Sequence, residues 1–137
     1  VLLSTYNGAR FIDAQIESIF NQTYKDIRLI VRDDGSKDET PQKLLQWKER
    51  YPDQIVLYLE QNVGVVESFN RLVGYSKAPF LAFCDQDDVW MAHKLETCFS
   101  FLDKDKPSLV HSDLKVVDSN LLEIHPSFWG YSYLSGD

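Results

Sequence analysis

The sequence predicts an α/β domain with a mainly parallel sheet flanked by helices, and three observations predict it. Short apolar runs and amphipathic helical stretches alternate four times, the signature of successive β-α units. The first, second and fourth runs each end abruptly in polar residues: Thr5-Tyr6-Asn7, Asp33-Asp34, and Asp85 with Asp87 and Asp88. In a parallel sheet those loops share one edge, where open α/β sheets bind ligands. The chain has 137 residues, 44% hydrophobic and 13% aromatic, enough to bury most of its apolar surface as one domain.

Taken in order, residues 1–4 read as the first strand and Thr5-Tyr6-Asn7-Gly8 as its loop. Ile12, Ile16, Ile19 and Phe20 recur at i, i+4, i+7 and i+8, one apolar face of a helix. Residues 27–31 are the second strand, closed by Arg32-Asp33-Asp34-Gly35-Ser36. Thr40 before Pro41 predicts an N-cap and a first-turn proline, opening a helix that carries Leu44, Leu45 and Trp47. Residues 55–59 form the third strand, Asn62-Val63-Gly64 a turn, and Val66, Phe69 and Val73 the face of a third helix. Phe80-Leu81-Ala82-Phe83 predicts a buried fourth strand running into Cys84-Asp85-Gln86-Asp87-Asp88. Asp88 is the predicted N-cap of a fourth helix with Met91, Leu95, Cys98, Phe99 and Leu102 on its apolar side. A fifth strand at residues 109–111 and a hairpin of 114–117 with 121–124 complete the pattern. The chain opens on a strand and stops at Ser135-Gly136-Asp137, so it reads as a fragment truncated at both ends.

Charge narrows the partners. The net charge is −7 and no Lys/Arg cluster occurs, which argues against nucleic acid. No apolar run approaches the ~20 residues of a membrane span. Cys84 and Cys98 lack CxxC spacing and read as reduced thiols of a cytoplasmic protein.

The chemistry-bearing stretch is the acidic one. Carboxylates this close repel one another, and a divalent cation is the simplest relief. Asp85 and Asp87 can place oxygens on one Mg²⁺ or Mn²⁺ ion and leave positions for a diphosphate. The plainer reading is a solvated acidic turn. Tyr6 offers a flat face for a base, and an Asp carboxylate accepts the N3–H of uracil or thymine. Neither GxGxxG nor GxxxxGK[ST] is present. A haloacid-dehalogenase phosphatase wants its DxDx[TV] after the first strand, and a receiver domain wants a lone Asp and a late Lys. A sugar-nucleotide pyrophosphorylase wants a Gly-rich basic loop after the first strand, although it shares the sheet. A non-catalytic nucleotide-sugar-binding module remains open beside an enzyme. His93 and His111 read as a helix-surface and a core or edge residue, Trp90 as an anchor of the acidic loop, and residues 129–133 as an acceptor surface or orphaned apolar surface.

Four motifs in order carry a resemblance: Ser4-Thr5-Tyr6-Asn7-Gly8, Arg32-Asp33-Asp34-Gly35-Ser36, Asn62-Val63-Gly64 and Cys84-Asp85-Gln86-Asp87-Asp88-Val89-Trp90. Together they resemble family 2 glycosyltransferases of the GT-A fold, a Rossmann-like nucleotide-diphospho-sugar transferase fold, and within it the bacterial rhamnosyltransferase-like members. The resemblance implies an inverting transferase. It would move a sugar from dTDP-rhamnose or a UDP-sugar to a saccharide or lipid-linked acceptor in bacterial surface polysaccharide synthesis, with a divalent metal, Mg or Mn. It implies that Ser4, Tyr6 and Asn7 hold the base side, that Asp34 reads the base and that Asp33 supports its loop. Asn62, Gly64, Asn70 and Arg71 would form the donor wall, Asp87 would hold the metal, and Asp85 the metal, a water or the ribose. Glu67 stands where members often carry a basic residue. His125 is a candidate for a later metal ligand. The general base is expected beyond Asp137, which makes residues 1–137 a donor-binding half that is inactive by itself. The full-length protein is expected in the cytoplasm or peripheral to the inner face of the membrane.

Overall fold

The structure, a computed structural model, describes residues 1–134. β1 (Leu2–Thr5), α1 (Ile12–Phe20), β2 (Leu29–Asp33), α2 (Thr40–Arg50), β3 (Ile55–Leu59), α3 (Val65–Tyr75) and β4 (Phe83–Cys84) alternate as predicted. They are followed by α4 (Lys94–Phe101), β5 (Val116–Val117), β6 (Glu123–His125) and α5 (Phe128–Leu134). The chain divides into two compact units, Val1–Glu96 and Thr97–Asp137.

In the first unit the strands are parallel in the order β3-β2-β1-β4. The chain steps from β1 to β2 to β3 in one direction, then returns to the other side of β1 for β4. Right-handed crossovers running in opposite directions put their helices on opposite faces. Side-chain alternation along the strands fits this arrangement. Leu3, Leu29, Val31 and Ile55 pack with Ile12, Ile16 and Ile19 of α1 and Leu44 of α2. Leu2 and Ile30 point the other way, onto Leu72 of α3. Each such buried aliphatic side chain contributes about 1.5–3 kcal/mol. At the end of α1, Phe20 stacks on Tyr51 with ring centroids 4.1 Å apart, and Trp47 stacks on Tyr51 at 5.8 Å. Trp47 Nε1 donates to Asp13 at 2.8 Å, and Lys43 pairs with the same carboxylate.

Several local expectations are corrected. β2 runs two residues further than predicted, so Arg32 and Asp33 belong to the strand and are buried. Thr40 is the first residue of α2 rather than its cap, and Asp38 accepts from both the Thr40 N–H and its hydroxyl. α3 turns Ser68 and Leu72 inward and leaves Val66 and Val73 exposed, because polar Ser68 has partners beneath the helix. β4 is only two residues long. Of its apolar run, Cys84 is buried whereas Phe80 and Leu81, which precede the strand, and Phe83 are exposed; β4 lies at one edge of this sheet. Asp88 caps nothing, because α4 starts six residues later at Lys94. Cys98 lies on α4 half-buried, and α4 has no fully buried residue.

The second unit has no strand at residues 109–111, and Leu109 and His111 are exposed. The hairpin does form, with β5 antiparallel to β6. Asp118 closes it by accepting the N–H groups of Asn120 and Leu122, the local side-chain turn that Asp favours. Asp113 accepts the Trp129 N–H at 3.2 Å, and His111 meets the Trp129 ring edge-on at 5.6 Å. Asp137 lies outside the described residues. Among the described residues, no helix is long and apolar enough to cross a membrane.

Candidate functional site

The register pairs Thr5 with Asp33 and Leu3 with Cys84, which brings the ends of β1, β2 and β4 to one edge of the sheet. Their loops and the one after β3 line a cleft of about 440 Å³. Its walls are Ser4, Thr5, Tyr6, Asp34, Asn62, Gly64, Val65, Asp85, Gln86 and Asp87.

The floor is organised by Arg32, whose side chain is wholly buried. Burying a guanidinium is tolerable only when its N–H groups find partners. Arg32 Nε donates to Glu60 at 2.9 Å, and Nη1 donates to Asp34 at 2.5 Å and to Ser68 Oγ at 3.0 Å. Nη2 donates to the Gln61 carbonyl at 2.8 Å. Tyr75 OH donates to the other Glu60 oxygen at 2.9 Å, and Ser68 Oγ lies 2.6 Å from Ser4 Oγ. Asp34 in turn accepts the N–H of Val63 on Oδ1 at 2.8 Å and of Gly64 on Oδ2 at 2.9 Å. Burial alone would push the Asp34 carboxyl up. The Arg32 bond and the two backbone N–H groups outweigh it and hold the group below the usual carboxylate range. Oδ2 accepts the Gly64 N–H, and a carboxylate oxygen with two lone pairs keeps acceptor capacity at the cleft.

Asn7 and Asp33 stand behind the wall and join the first two loops. Asp33 accepts from Thr5 Oγ1 at 3.0 Å and from the Ser36 N–H and hydroxyl at 2.9 and 2.5 Å. Asn7 donates its N–H to Ser36 Oγ, and its Oδ1 accepts the Lys37 N–H, each at 2.8 Å. Tyr6 is about half exposed over the cleft.

The acidic loop is held from behind by α1. Trp90 is buried in the core, and its N–H donates to Ser18 Oγ at 3.0 Å. Gln22, fully buried, donates to the Met91 carbonyl at 2.8 Å and accepts the Leu95 N–H at 3.0 Å. Asp85, Gln86 and Asp87 therefore line the cleft from a fixed base. The Asp88 carboxyl is held above its usual range, first by burial and then by Asp85 and Asp87, with Lys94 opposing. Cys84 is an inert structural thiol: burial pushes it up to about 12.

Seven predicted residues thus meet in the cleft: Ser4, Tyr6, Asp34, Asn62, Gly64, Asp85 and Asp87. Asn70 and Arg71 do not line it. With Ser68 and Leu72 facing inward, the helical turn carries residues 70 and 71 away. Arg71 pairs with Glu67 at 3.0 Å and Glu60 at 3.4 Å, and Asn70 is exposed. Sequence reasoning passed over Arg32, Ser68 and Gln86. An Arg ending an apolar strand beside two Asp residues is the signal for the first, and nothing local signals the others.

Among the described residues, no three His, Cys, Asp or Glu side chains form a ready-made metal site. Asp85 and Asp87 are nonetheless exposed, line one cleft, and crowd Asp88 with like charge. Such an oxygen pair suits Mg²⁺ or Mn²⁺, which usually takes one or two carboxylates and completes its shell with phosphate and water. His125 belongs to the second unit, where its Nδ1 lies 2.6 Å from the Ser127 carbonyl.

Residues 1–135 match the family Glycosyl transferase family 2. The chain belongs to that family. It is 35% identical over 121 residues to a glycosyltransferase of Nostoc sp. (strain PCC 7120), a match covering 88% of this chain and 37% of that one. It is 32% identical over 120 residues to WfgD of Escherichia coli, a UDP-Glc:alpha-D-GlcNAc-diphosphoundecaprenol beta-1,3-glucosyltransferase, covering 88% and 47%. The chain therefore spans less than half the length of these two relatives. Among solved structures, the mannosyltransferase PcManGT of Pyrobaculum calidifontis, in complex with GDP-Man and Mn²⁺, superposes with a TM-score of 0.63 at 27% identity, over 68% of this chain and 28% of that one. Staphylococcus aureus TarS in complex with UDP shares the fold with a TM-score of 0.65 at 24% identity, over 73% and 30%. This family 2 chain has the GT-A-like α/β fold.

One glycine beside the cleft is open to test. Gly35 has φ +78°, and a Cβ there would stand 2.9 Å from the Asn62 N. Gly35→Ala is expected to cost about 1–2 kcal/mol from the left-handed backbone, and to displace the residue 62–64 loop that Asp34 holds. A thermal melt reads the first effect and nucleotide affinity the second. An unchanged melt would show that the turn relaxes freely.

Proposed function

We propose that residues 1–137 form the donor site of an inverting glycosyltransferase that binds a nucleotide-diphospho-sugar with a divalent cation. The observation that carries this is the single cleft in which Ser4, Tyr6 and Asp34 face Asp85 and Asp87. Tyr6 offers the stacking surface for the base, and Asp34 Oδ2 accepts its imide N3–H. Asp87, with Asp85, would hold Mg²⁺ or Mn²⁺ at the diphosphate end of the donor. A bound cation offsets the charge that develops on the departing diphosphate. The acceptor hydroxyl displaces that diphosphate from the anomeric carbon in one step with inversion, giving up its proton to a base supplied outside the cleft described above.

A UDP-sugar is the preferred donor, supported by WfgD, whose name specifies UDP-Glc. dTDP-rhamnose is the second candidate, since Asp34 chemistry does not register the thymine methyl. The same name, with its diphosphoundecaprenol-linked GlcNAc, supports a lipid-linked saccharide acceptor, and bacterial surface polysaccharide synthesis is the process in which the proposed transfer would serve. That acceptor would bring the whole protein to the inner membrane surface.

The base assignment is tested on the ligand side, because Asp34 also anchors the loop at residues 62–64 and its replacement would disturb both. UDP, CDP and the diphosphate of N3-methyluridine are titrated with Mn²⁺ into the unaltered protein. CDP and the methylated analogue leave the carboxylate facing no donor, which costs roughly 1–3 kcal/mol. They are expected to bind about ten- to a hundredfold more weakly than UDP. Equal affinity for all three would remove Asp34 as the base reader.

A further inference from the structure

The two sides of the cleft come from different parts of the chain, and one side chain spans them. The β1–β4 ladder ends at Leu3 and Cys84. Beyond it, the Tyr6 N–H donates to Gln86 Oε1 at 2.9 Å, and Gln86 Nε2 donates back to the Tyr6 carbonyl at 3.2 Å. The amide thus joins the two segments by a two-hydrogen-bond contact beyond the last paired residues of the ladder. A primary amide is the uncharged side-chain group that donates and accepts in this way at once, and the fixed backbone polarity of Tyr6 sets which way it faces.

Gly8 fits the same account. Its φ is not in the left-handed region, so backbone freedom is not the reason for glycine there. A Cβ at Gly8 would overlap Gln86 Oε1 and stand 2.8 Å from its Cδ. The chain leaves that space to the amide.

We propose that Gln86 is a positioning residue that sets the spacing between Tyr6 and the carboxylates Asp85 and Asp87, so that nucleoside and cation bind as one unit. The inference rests on the donor-site reading above. A nucleoside diphosphate has a fixed reach from base to phosphate. The base on Tyr6 and a cation on Asp87 can both engage it only if the two loops keep their separation. With Gln86 in place, Mn²⁺ and UDP tighten each other by the same factor, as linkage requires.

The test measures that factor by calorimetry on the full chain, using UDP with and without Mn²⁺ and uridine alone. Gln86→Ala removes the bridge, and Gln86→Glu sets a carboxylate against the Tyr6 carbonyl. In both, the Mn²⁺-dependent tightening of UDP is expected to fall tenfold or more while uridine affinity stays within about twofold. Gly8→Ala should produce the same loss in the wild-type background and none in the Gln86→Ala background, where the space is vacated. That non-additivity is not expected of general destabilisation. Full coupling retained in both Gln86 variants would overturn the inference and leave the donor site standing. A wild-type protein that binds no UDP, or binds it indifferently to Mn²⁺, would overturn the donor reading and this inference with it.

Discussion

Asp87→Ala is expected to abolish the Mn²⁺-dependent part of UDP binding. A bound cation beside a diphosphate contributes several kcal/mol, so the loss is at least on the order of a hundredfold, about 2.8 kcal/mol at 1.4 kcal/mol per decade. Asp88→Asn is the internal control. Asp88 carries the carboxyl that burial and its two neighbours hold above the usual range, and it lies outside the residues lining the cleft. Removing its charge relieves repulsion and is expected to leave UDP affinity within a few-fold of wild type. It should also leave helix stability unchanged, because α4 begins at Lys94 and takes no cap from Asp88. Calorimetry with and without Mn²⁺ decides the matter. Equal losses in the two variants, at equal melting temperature, would take the metal away from Asp87.

The largest effect on stability is expected at Arg32. Arg32→Met fills much of the volume but strands Asp34, which is 3% exposed, beside Glu60, the Gln61 carbonyl and Ser68. Breaking a buried ion pair from one side costs about 3–5 kcal/mol, a large share of the 5–15 kcal/mol that a typical domain has. The sign of the pH dependence follows from the same network. Glu60 is held below its usual range first by the Tyr75 hydroxyl and then by Arg32. Asp34 is held there against burial by Arg32 and two backbone N–H groups. Groups with lowered values stabilise the fold above their unfolded values, 3.8 for Asp34 and 4.5 for Glu60, and that stabilisation is lost as pH falls through the folded values. The difference between wild type and Arg32→Met is therefore widest near neutrality and narrows below about pH 4. Denaturant melts at several pH values would show it. A pH-independent difference would mean that the cost is packing rather than charge.

The order of elements in the first unit was legible because apolar periodicity is a local signal. Ile12, Ile16 and Ile19 share one helical face, and the short apolar runs at β1, β2 and β3, bounded by polar loops, read as strands. The three polar loops were legible for the same reason, and parallel topology carried Ser4, Tyr6, Asp34, Asp85 and Asp87 to one edge. What periodicity does not carry is the rotation of a helix whose inward face is partly polar. The apolar pattern of α3 pointed to Val66 and Val73, whereas Ser68 is drawn inward by Arg32 and Ser4, Asn70 turns to solvent, and Arg71 sits on the flank paired with Glu60 and Glu67. Nor does an apolar run reveal that its strand lies at an edge, as Phe80, Leu81 and Phe83 do in and before β4. The sequence by itself determined the α/β alternation, the family and the carboxylates that converge. The tertiary structure alone decided that Arg32 lies wholly buried beneath Asp34 and that Gln86 pairs with Tyr6. The burial of Arg32 rests on its bonds to Glu60, Gln61 and Ser68, and the Gln86 contact on Tyr6, residues far apart in the chain, where spacing is silent and only the folded backbone sets who can reach whom.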